Sequence, residues 1–378
     1  MAGDLSAFSQ ARLREAEIVV AGCGALGNEV LKNLALAGAG HITLVDFDWV
    51  EASNLNRSVL FRREDVAAGL RKIDAAAERL RDLNPDLELT AIFGDVAFDV
   101  GLGVFRDADV VIGCVDSRWA RYCINRLCMR AGTPWVDGGI DGLEGTVRVF
   151  VPGRNCYACN LGPAGQEELR RRMPCAGAIR RNEAAGHIPT TGVAASVIGA
   201  VQVQEAIKLL HPEEREREEF TSLEGRIFYY DGRHLTTKTA EFEAYDDDCP
   251  LHGRWEPVEK IDIETGSTVG TALEFLAASA GTGDVSFFLH DDCFVDTVES
   301  KDNGCSWKVM LPGRKVAAFV EAHPQMRGFP FSSLWQNEYR QIDRTFPYLH
   351  LTLGDLGIPP RDILKVRAGG GTLYFEID

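Results

Sequence analysis

The sequence predicts an α/β fold with a doubly wound, mostly parallel sheet, followed by a smaller α/β region. Three observations carry this. Gly22, Gly24 and Gly27 stand in G-x-G-x-x-G spacing between an apolar run and a helical stripe. Strand-length apolar runs and helical periodicities alternate from Ile18 to Val151. After Trp255 that alternation gives way to short mixed strands.

Residues 1 to 17 read as a short amphipathic lead-in helix. Ile18 to Ala21 is apolar and β-branched, as a buried parallel strand requires. Leu26, Val30, Leu34 and Ala37 then recur at helical spacing, and Ile42 to Val45 make a second strand ending at Asp46. This strand–turn–helix–strand unit is Rossmann-like. Its glycines let backbone approach phosphates at the helix N-terminus, and its terminal acid lies where a ribose hydroxyl is bound. Arg62 to Leu83, which contains Lys72, reads as one helix. Leu87 to Phe93 and Ala108 to Cys114 read as strands, Arg118 to Ala131 as a helix, and Pro134 to Val136 and Gly145 to Val151 as further strands. Val193 to Leu210 is helical, HPEEREREEF a solvated acidic connection, and Ile227 to Thr239 a hairpin about Asp231-Gly232. Near the end, a helix is expected about Thr271 to Ala280 and a closing strand over Thr372 to Ile377.

Composition bounds the function. A chain of 378 residues suggests two or three domains. No apolar run approaches the length of a membrane span, and the polar N-terminus lacks a signal-peptide core, so a cytoplasmic protein is expected. The net charge of -16 argues against broad nucleic-acid binding. Ten cysteines without a secretion signal point to metal binding or thiol chemistry.

The glycine turn alone equally suits a nicotinamide-dependent oxidoreductase. The segment Ser53-Asn54-Leu55-Asn56-Arg57 shifts the reading toward ATP, because phosphates need cationic clamps. Cys156-x-x-Cys159 and Cys249-x-x-His252 have the spacing of two zinc half-sites, and three cysteines with one histidine are an accepted zinc set. Cys175 lies in RRRMPCAGAIRRNEAAGHIPTT, whose arginines favour a thiolate. Cys23, Cys114, Cys123 and Cys128 fall in predicted core elements, Cys293 and Cys305 are weaker rivals for thiol chemistry, and His187 is expected to stabilise its loop.

With the glycine turn, DFDWVEASNLNR, the lysine of AGLRK, CVDS and the paired Cys-x-x-Cys-type elements in view, the chain resembles the ubiquitin-activating enzyme superfamily over roughly residues 15 to 255. That group includes the sulfur-carrier adenylyltransferases of molybdopterin and thiamine synthesis. The resemblance implies a Rossmann-like adenylation domain using ATP and Mg2+, with a structural Zn2+. Asp46 would hold the ribose, and Asn54, Arg57 and Lys72 would contact phosphates. Asp116 would bind magnesium, although a helix-capping role is also open to it. Asp48 joins the nucleotide-binding set. Cys175 would carry a thioester of a ubiquitin-like modifier protein. A sulfur-carrier adenylyltransferase without that thioester is the alternative. The four zinc residues correspond to four cysteines in relatives, with His252 replacing the last.

The expected segments are then a nucleotide-binding adenylation part over 1–159, a crossover loop with Cys175 over 160–192, the rest of the adenylation domain over 193–254, and a C-terminal domain over 255–378. The last resembles a ubiquitin-fold domain that recruits a conjugating enzyme. A homodimer, or a heterodimer with a related subunit, is implied. The arginine-tyrosine-arginine-glutamine element of many homodimeric relatives is missing before Ile18, leaving Arg12, Arg14 or a partner to supply that arginine.

Overall fold

The computed structural model describes residues 9–162, 165, 167, 169, 190–216, 220–242, 245–289, 292–300, 304–323, 326 and 334–378. They fall into two compact units. The first is built from segments within 1–97, 104–161 and 184–254, the second from segments within 98–103, 162–183 and 255–378.

In the first unit, α1 (Gln10–Glu15) leads into β1 (Glu17–Ala21), α2 (Ala25–Ala37) and β2 (His41–Asp46). Then come α3 (Arg63–Ala68), α4 (Lys72–Leu83), β3 (Glu88–Phe93), α5 (Leu102–Asp107, of which residues 104–107 belong to this unit) and β4 (Val110–Gly113). The helix α6 (Arg118–Ala131) precedes β5 (Trp135–Asp141) and β6 (Glu144–Phe150). The unit ends with α7 (Gly192–Leu209), α8 (Pro212–Glu216), β7 (Arg226–Asp231) and β8 (Thr236–Glu241).

Its eight strands form one sheet in the order β3-β2-β1-β4-β5-β6-β7-β8. The first five run parallel and the rest extend the sheet as antiparallel strands. The central strands are buried on both faces, which is why β1 and β4 read as continuous apolar runs rather than alternations. Ile18 and Val20 share one core with Leu31 and Leu34 of α2, Leu80 of α4 and Ile198 of α7. Alternate residues face the other way, as the pleat dictates. There the Trp135 and Phe150 rings stack at 5.0 Å, with Tyr157 beside them.

The helix expected over Arg62 to Leu83 is two helices. Gly69 ends α3 in the left-handed region (φ +64), the cap that glycine suits best. The chain then extends through Leu70 and Arg71 to pair with the segment after β2. Val50 donates its N–H to the Leu70 carbonyl, and Lys72 donates its own to the Asp48 carbonyl. Lys72 therefore opens α4 instead of riding mid-helix. Two further differences are short helices. α5 was not expected, and α8 occupies part of the acidic connection, with Pro212 at its first position.

The second unit holds β9 (Val258–Lys260), α9 (Val269–Ala280), β10 (Val285–Phe288), β11 (Phe294–Ser300), β12 (Ser306–Pro312) and α10 (Gly313–Ala322). It continues with β13 (Leu334–Tyr339), β14 (Gln341–Ile342), β15 (Ile363–Ala368) and β16 (Gly371–Glu376). One sheet runs β14-β10-β15-β16-β9, with α9 packed on it through Val269, Leu273 and Leu276. A second sheet runs β12-β11-β13, and α10 shares its core.

Asp296 is 4% exposed and organises the second sheet. Its carboxylate accepts hydrogen bonds from Tyr348 Oη (2.8 Å), Asn337 Nδ2 (3.0 Å) and Tyr339 Oη (3.1 Å). Burial opposes ionisation, but the donors from Tyr348, Thr297, Asn337 and Tyr339 outweigh it and hold the carboxyl below its ordinary value. A depressed carboxyl pKa contributes stability that is complete above its unfolded value, near ~4, and is lost as pH falls through the folded value. Asp296→Asn is therefore expected to be less stable than the parent at neutral pH, with the difference shrinking below about pH 4. Denaturant melts at pH 7 and pH 3 check this. An equal difference at both values would contradict it.

Candidate active site

The strand order reverses at β1, whose parallel neighbours β2 and β4 lie on opposite sides. In an open α/β sheet this switch point, at the carboxyl ends, is where a ligand binds. The glycine turn after β1, Asp46 at the end of β2 and the end of β4 are neighbours there because the three strands are adjacent and in parallel register, with Val45 and Gly113 both opposite Ala21.

The three motif glycines do different work. A Cβ on Gly22, whose φ is +99, would lie 2.5 Å from the Cys114 carbonyl oxygen. One on Gly27 would lie 2.0 Å from the Gly22 oxygen. Both therefore serve close packing of turn, helix and strand. Gly24 meets nothing within 4 Å and precedes α2 as its N-cap. It leaves bare backbone at the N-terminus of a thirteen-residue helix, where unpaired N–H groups and the helix dipole favour an anion.

Asp46 ends β2. Its Oδ2 accepts the Cys23 N–H of the glycine turn at 2.7 Å, and its Oδ1 accepts the Asp48 N–H at 2.8 Å. The acid thus shapes the turn, a job its sequence position did not disclose. Burial raises its pKa, partly offset by Lys72 and by those N–H donors. Lys72 Nζ lies 2.7 Å from Asp48 Oδ2. A cation at a helix N-terminus opposes the dipole, and burial also disfavours its charge. Burial would lower the Lys72 pKa, but Asp46 and Asp48 prevail and raise it, so the ammonium stays charged.

Asn54 closes a short 3-10 turn, where its Oδ1 accepts the Glu51 N–H at 2.9 Å. The Arg57 guanidinium donates to the Ser53 carbonyl and to Asn56 Oδ1. The Arg57 backbone lies against the N-terminus of α7, 3.5 Å from where a Gly192 Cβ would be. Asp116 follows β4 and is exposed. The cap of α6 is Ser117, whose hydroxyl accepts the Ala120 N–H at 3.1 Å. Asp116 is thus not that helix's capping residue, and its carboxylate lies within electrostatic range of Arg121. Arg12 forms an ion pair with Glu213 at 3.2 Å.

Asn28 is the residue the sequence reading missed. It has no exposed surface. Its Nδ2 donates to the Cys23 and Gly24 carbonyls, both at 2.9 Å, and its Oδ1 accepts the Leu60 N–H at 2.9 Å. It ties the glycine turn to the segment just beyond Arg57. The available signal was a polar residue directly after Gly27 in a mostly apolar helix. Asn28→Ala is expected to cost roughly 2–4 kcal/mol, because it strands buried backbone groups. It should also raise the KM for ATP. Thermal melts alongside kinetics check both, and a KM unchanged in a destabilised variant would confine Asn28 to folding.

Cys156, Cys159, Cys249 and His252 come together, with their ligand atoms all within 4.8 Å of one another. Cys156 Sγ lies 3.7 Å from Cys159 Sγ and 3.8 Å from Cys249 Sγ, and His252 Nε2 is 3.3 Å from Cys159 Sγ. Zinc–sulfur bonds of ~2.3 Å place the sulfurs of a tetrahedron roughly 3.8 Å apart. The donor set and its spacing therefore fit zinc. His252 stacks on Tyr245, and its buried Nδ1 has no hydrogen-bond partner among the described residues. Burial pushes the Cys156 thiol up to about 12.

Cys175 and His187 lie outside the described residues. Of the other thiols, Cys23, Cys114, Cys123 and Cys128 are buried, as expected. Burial raises the pKa of Cys23, Cys114 and Cys128, which makes them poor nucleophiles. Cys293 is buried and Cys305 exposed.

A glycine turn, a strand-end acid and a buried lysine at the switch point of a doubly wound sheet define a nucleotide-binding α/β protein. The chain belongs to the ThiF family, whose profile matches residues 2–251. It thereby falls within the superfamily of ubiquitin-activating enzymes and sulfur-carrier adenylyltransferases. It is 33% identical over 255 residues to the SAMP-activating enzyme E1 of Haloferax volcanii, covering 67% of this chain and 87% of that one. It is 32% identical over 252 residues to the sulfur carrier protein ThiS adenylyltransferase of Escherichia coli, covering 66% and 91%. Among solved structures, E. coli MccB superposes with a TM-score of 0.52 at 23% identity, over 65% of this chain and 67% of that one. That likeness shows the fold. Among the described residues, no helix is long and apolar enough to cross a membrane.

Proposed function

We propose that the chain activates the C-terminal glycine of a ubiquitin-like modifier with ATP and then carries it as a thioester on Cys175 for transfer to a conjugating enzyme. The observation that supports this best is the gathering of the Gly24 turn, Asp46 and the Asp48–Lys72 pair at the carboxyl ends of β1 and β2, beside the end of β4 from which the chain leads to Asp116. The names of relatives from both branches of the superfamily agree with an adenylating enzyme.

In this reading the modifier's carboxylate oxygen attacks the α-phosphorus of ATP. The bond to the bridging oxygen breaks and pyrophosphate leaves. The α2 N-terminus and Lys72 hold the phosphates and offset the charge that makes attack by an anion slow. Asp46 holds the ribose, while Asn54 and Arg57 reach the phosphates. Asp116 offers the hard oxygen ligand that Mg2+ prefers. The acyl-adenylate is a mixed anhydride, so a Cys175 thiolate at its carbonyl carbon expels AMP and forms the thioester. The zinc cluster is structural, because four protein ligands leave no open position. Residues 255–378 serve as a ubiquitin-fold-like docking domain for the conjugating enzyme, and the activating unit works as a homodimer or beside a related subunit.

The second reading, a sulfur-carrier adenylyltransferase, draws on the likeness to the E. coli ThiS enzyme. There the acyl-adenylate passes to a sulfur donor. One variant separates the two. Cys175→Ala is expected to retain modifier-dependent pyrophosphate exchange and to lose the reductant-sensitive modifier adduct seen on denaturing gels. An adduct that persists in the variant moves the acceptor to another thiol, with Cys305 tested next. A parent protein that forms no adduct but supports thiocarboxylate production establishes the sulfur-carrier reading. Absence of ATP–pyrophosphate exchange altogether would reopen the nicotinamide alternative.

A further inference from the structure

Asn125 lies on α6 and has no exposed surface. Its Oδ1 accepts two hydrogen bonds, from the Tyr157 N–H at 3.0 Å and from Trp135 Nε1 at 3.3 Å. Both partners are donors, so the amide orientation is fixed: the oxygen faces them and the NH2 group faces the opposite way. That Nδ2 is buried and completes no hydrogen bond among the described residues. An unmet buried donor is costly and calls for an acceptor. The Cys156 sulfur, whose ionised form the Asn125 side chain favours, lies one residue before the backbone N–H that Asn125 already holds.

A thiol is a weak acceptor, whereas a metal-bound thiolate is an anionic one, and hydrogen bonds to charged partners are the stronger class. We propose that Asn125 is a positioning residue of the metal centre, donating a side-chain N–H···S bond to the Cys156 thiolate while its carbonyl oxygen anchors the loop that carries Cys156. Outer-shell partners of this kind orient ligands and tune how readily they give electron density to the metal. The inference rests on reading the four-residue cluster as a zinc site.

Asn125→Leu keeps the branching and the number of heavy atoms of the side chain but offers neither donor nor acceptor. It is expected to weaken zinc binding by roughly 10–100-fold in chelator competition. In the Co2+-substituted chain it should also move the thiolate-to-metal charge-transfer band to lower energy, because a thiolate without its donor holds its electrons less tightly. Unchanged zinc affinity and band position, with only a lower melting temperature, would assign Asn125 to packing and overturn the inference. If the variant does not fold, the unmodified full chain loaded with 113Cd2+ supplies the test. A scalar correlation between the metal and the Asn125 side-chain amide protons, carried through the sulfur, supports the bond. Correlations to cysteine β-protons without one to Asn125 exclude it. A parent chain that loads neither Zn2+, Co2+ nor Cd2+ overturns the metal-site reading itself, a result distinct from either of these.

Discussion

Lys72→Ala is expected to lower modifier-dependent pyrophosphate exchange by about two to three orders of magnitude, the loss typical when one charge-stabilising group is removed from a transition state. The ammonium is held where it is most useful to a phosphate and least comfortable for itself. It opens α4, is largely buried, and is kept charged only by Asp46 and Asp48. In the proposed reaction ATP would bring further negative charge here, and Lys72 would be the group that reconciles its phosphates with two resident carboxylates. Lys72→Arg retains the charge but replaces a compact ammonium with a wide planar fork, so intermediate activity is expected. The alanine variant should also lose stability, since the Asp46 and Asp48 carboxylates would lose their cationic partner. Melting curves with and without ATP separate the two effects. Full exchange activity in Lys72→Ala would place the phosphates elsewhere.

The strand–turn–helix–strand frame of the candidate site was legible in the sequence because its parts are local. The glycine spacing, the apolar run before it and the acid nineteen residues after Gly27 all belong to one strand–helix–strand unit. What escaped depended on contacts between distant segments. Periodicity carried a single helix through Gly69, although a glycine there was the signal for a left-handed cap. Pairing of the Leu70–Arg71 stretch with the segment after β2 decided the matter, and no local pattern encodes that pairing. Asn28 was passed over because a polar residue on a helix reads as exposed unless its acceptors are known, and they lie in the glycine turn. Residues 98–103 belong to the second unit although their chain neighbours belong to the first. There Leu102 donates its N–H to Asp362 and Gly103 donates to the Arg361 carbonyl, both more than 250 residues away. The zinc half-sites were legible as two spacings, and their convergence is a property of the fold.

Loss of the metal is expected to produce the largest change in stability. The cluster joins the loop after β6 to the turn around Cys249, 93 residues from Cys156. A cross-link closing a loop of that length restricts the unfolded chain by ~4 kcal/mol in a chain-entropy treatment, and metal ligation acts in the same sense. Cys249→Ser removes one of three thiolates, so zinc content should fall and the melting temperature should drop by roughly 8–16 °C, at about 2–4 °C per kcal/mol for a unit of this size. Because burial holds the Cys156 thiol near 12, zinc must displace protons to bind. Zinc retention against a fixed chelator should therefore weaken as pH falls and strengthen as it rises. None of the four ligands belongs to the group that gathers around Gly24, Asp46 and Lys72. ATP affinity in the surviving folded fraction should accordingly change far less than the melting temperature. Elemental analysis that finds no zinc in freshly purified parent protein would refute the assignment. A Cys249→Ser variant that keeps both its zinc and its melting temperature would remove Cys249 from the ligand set.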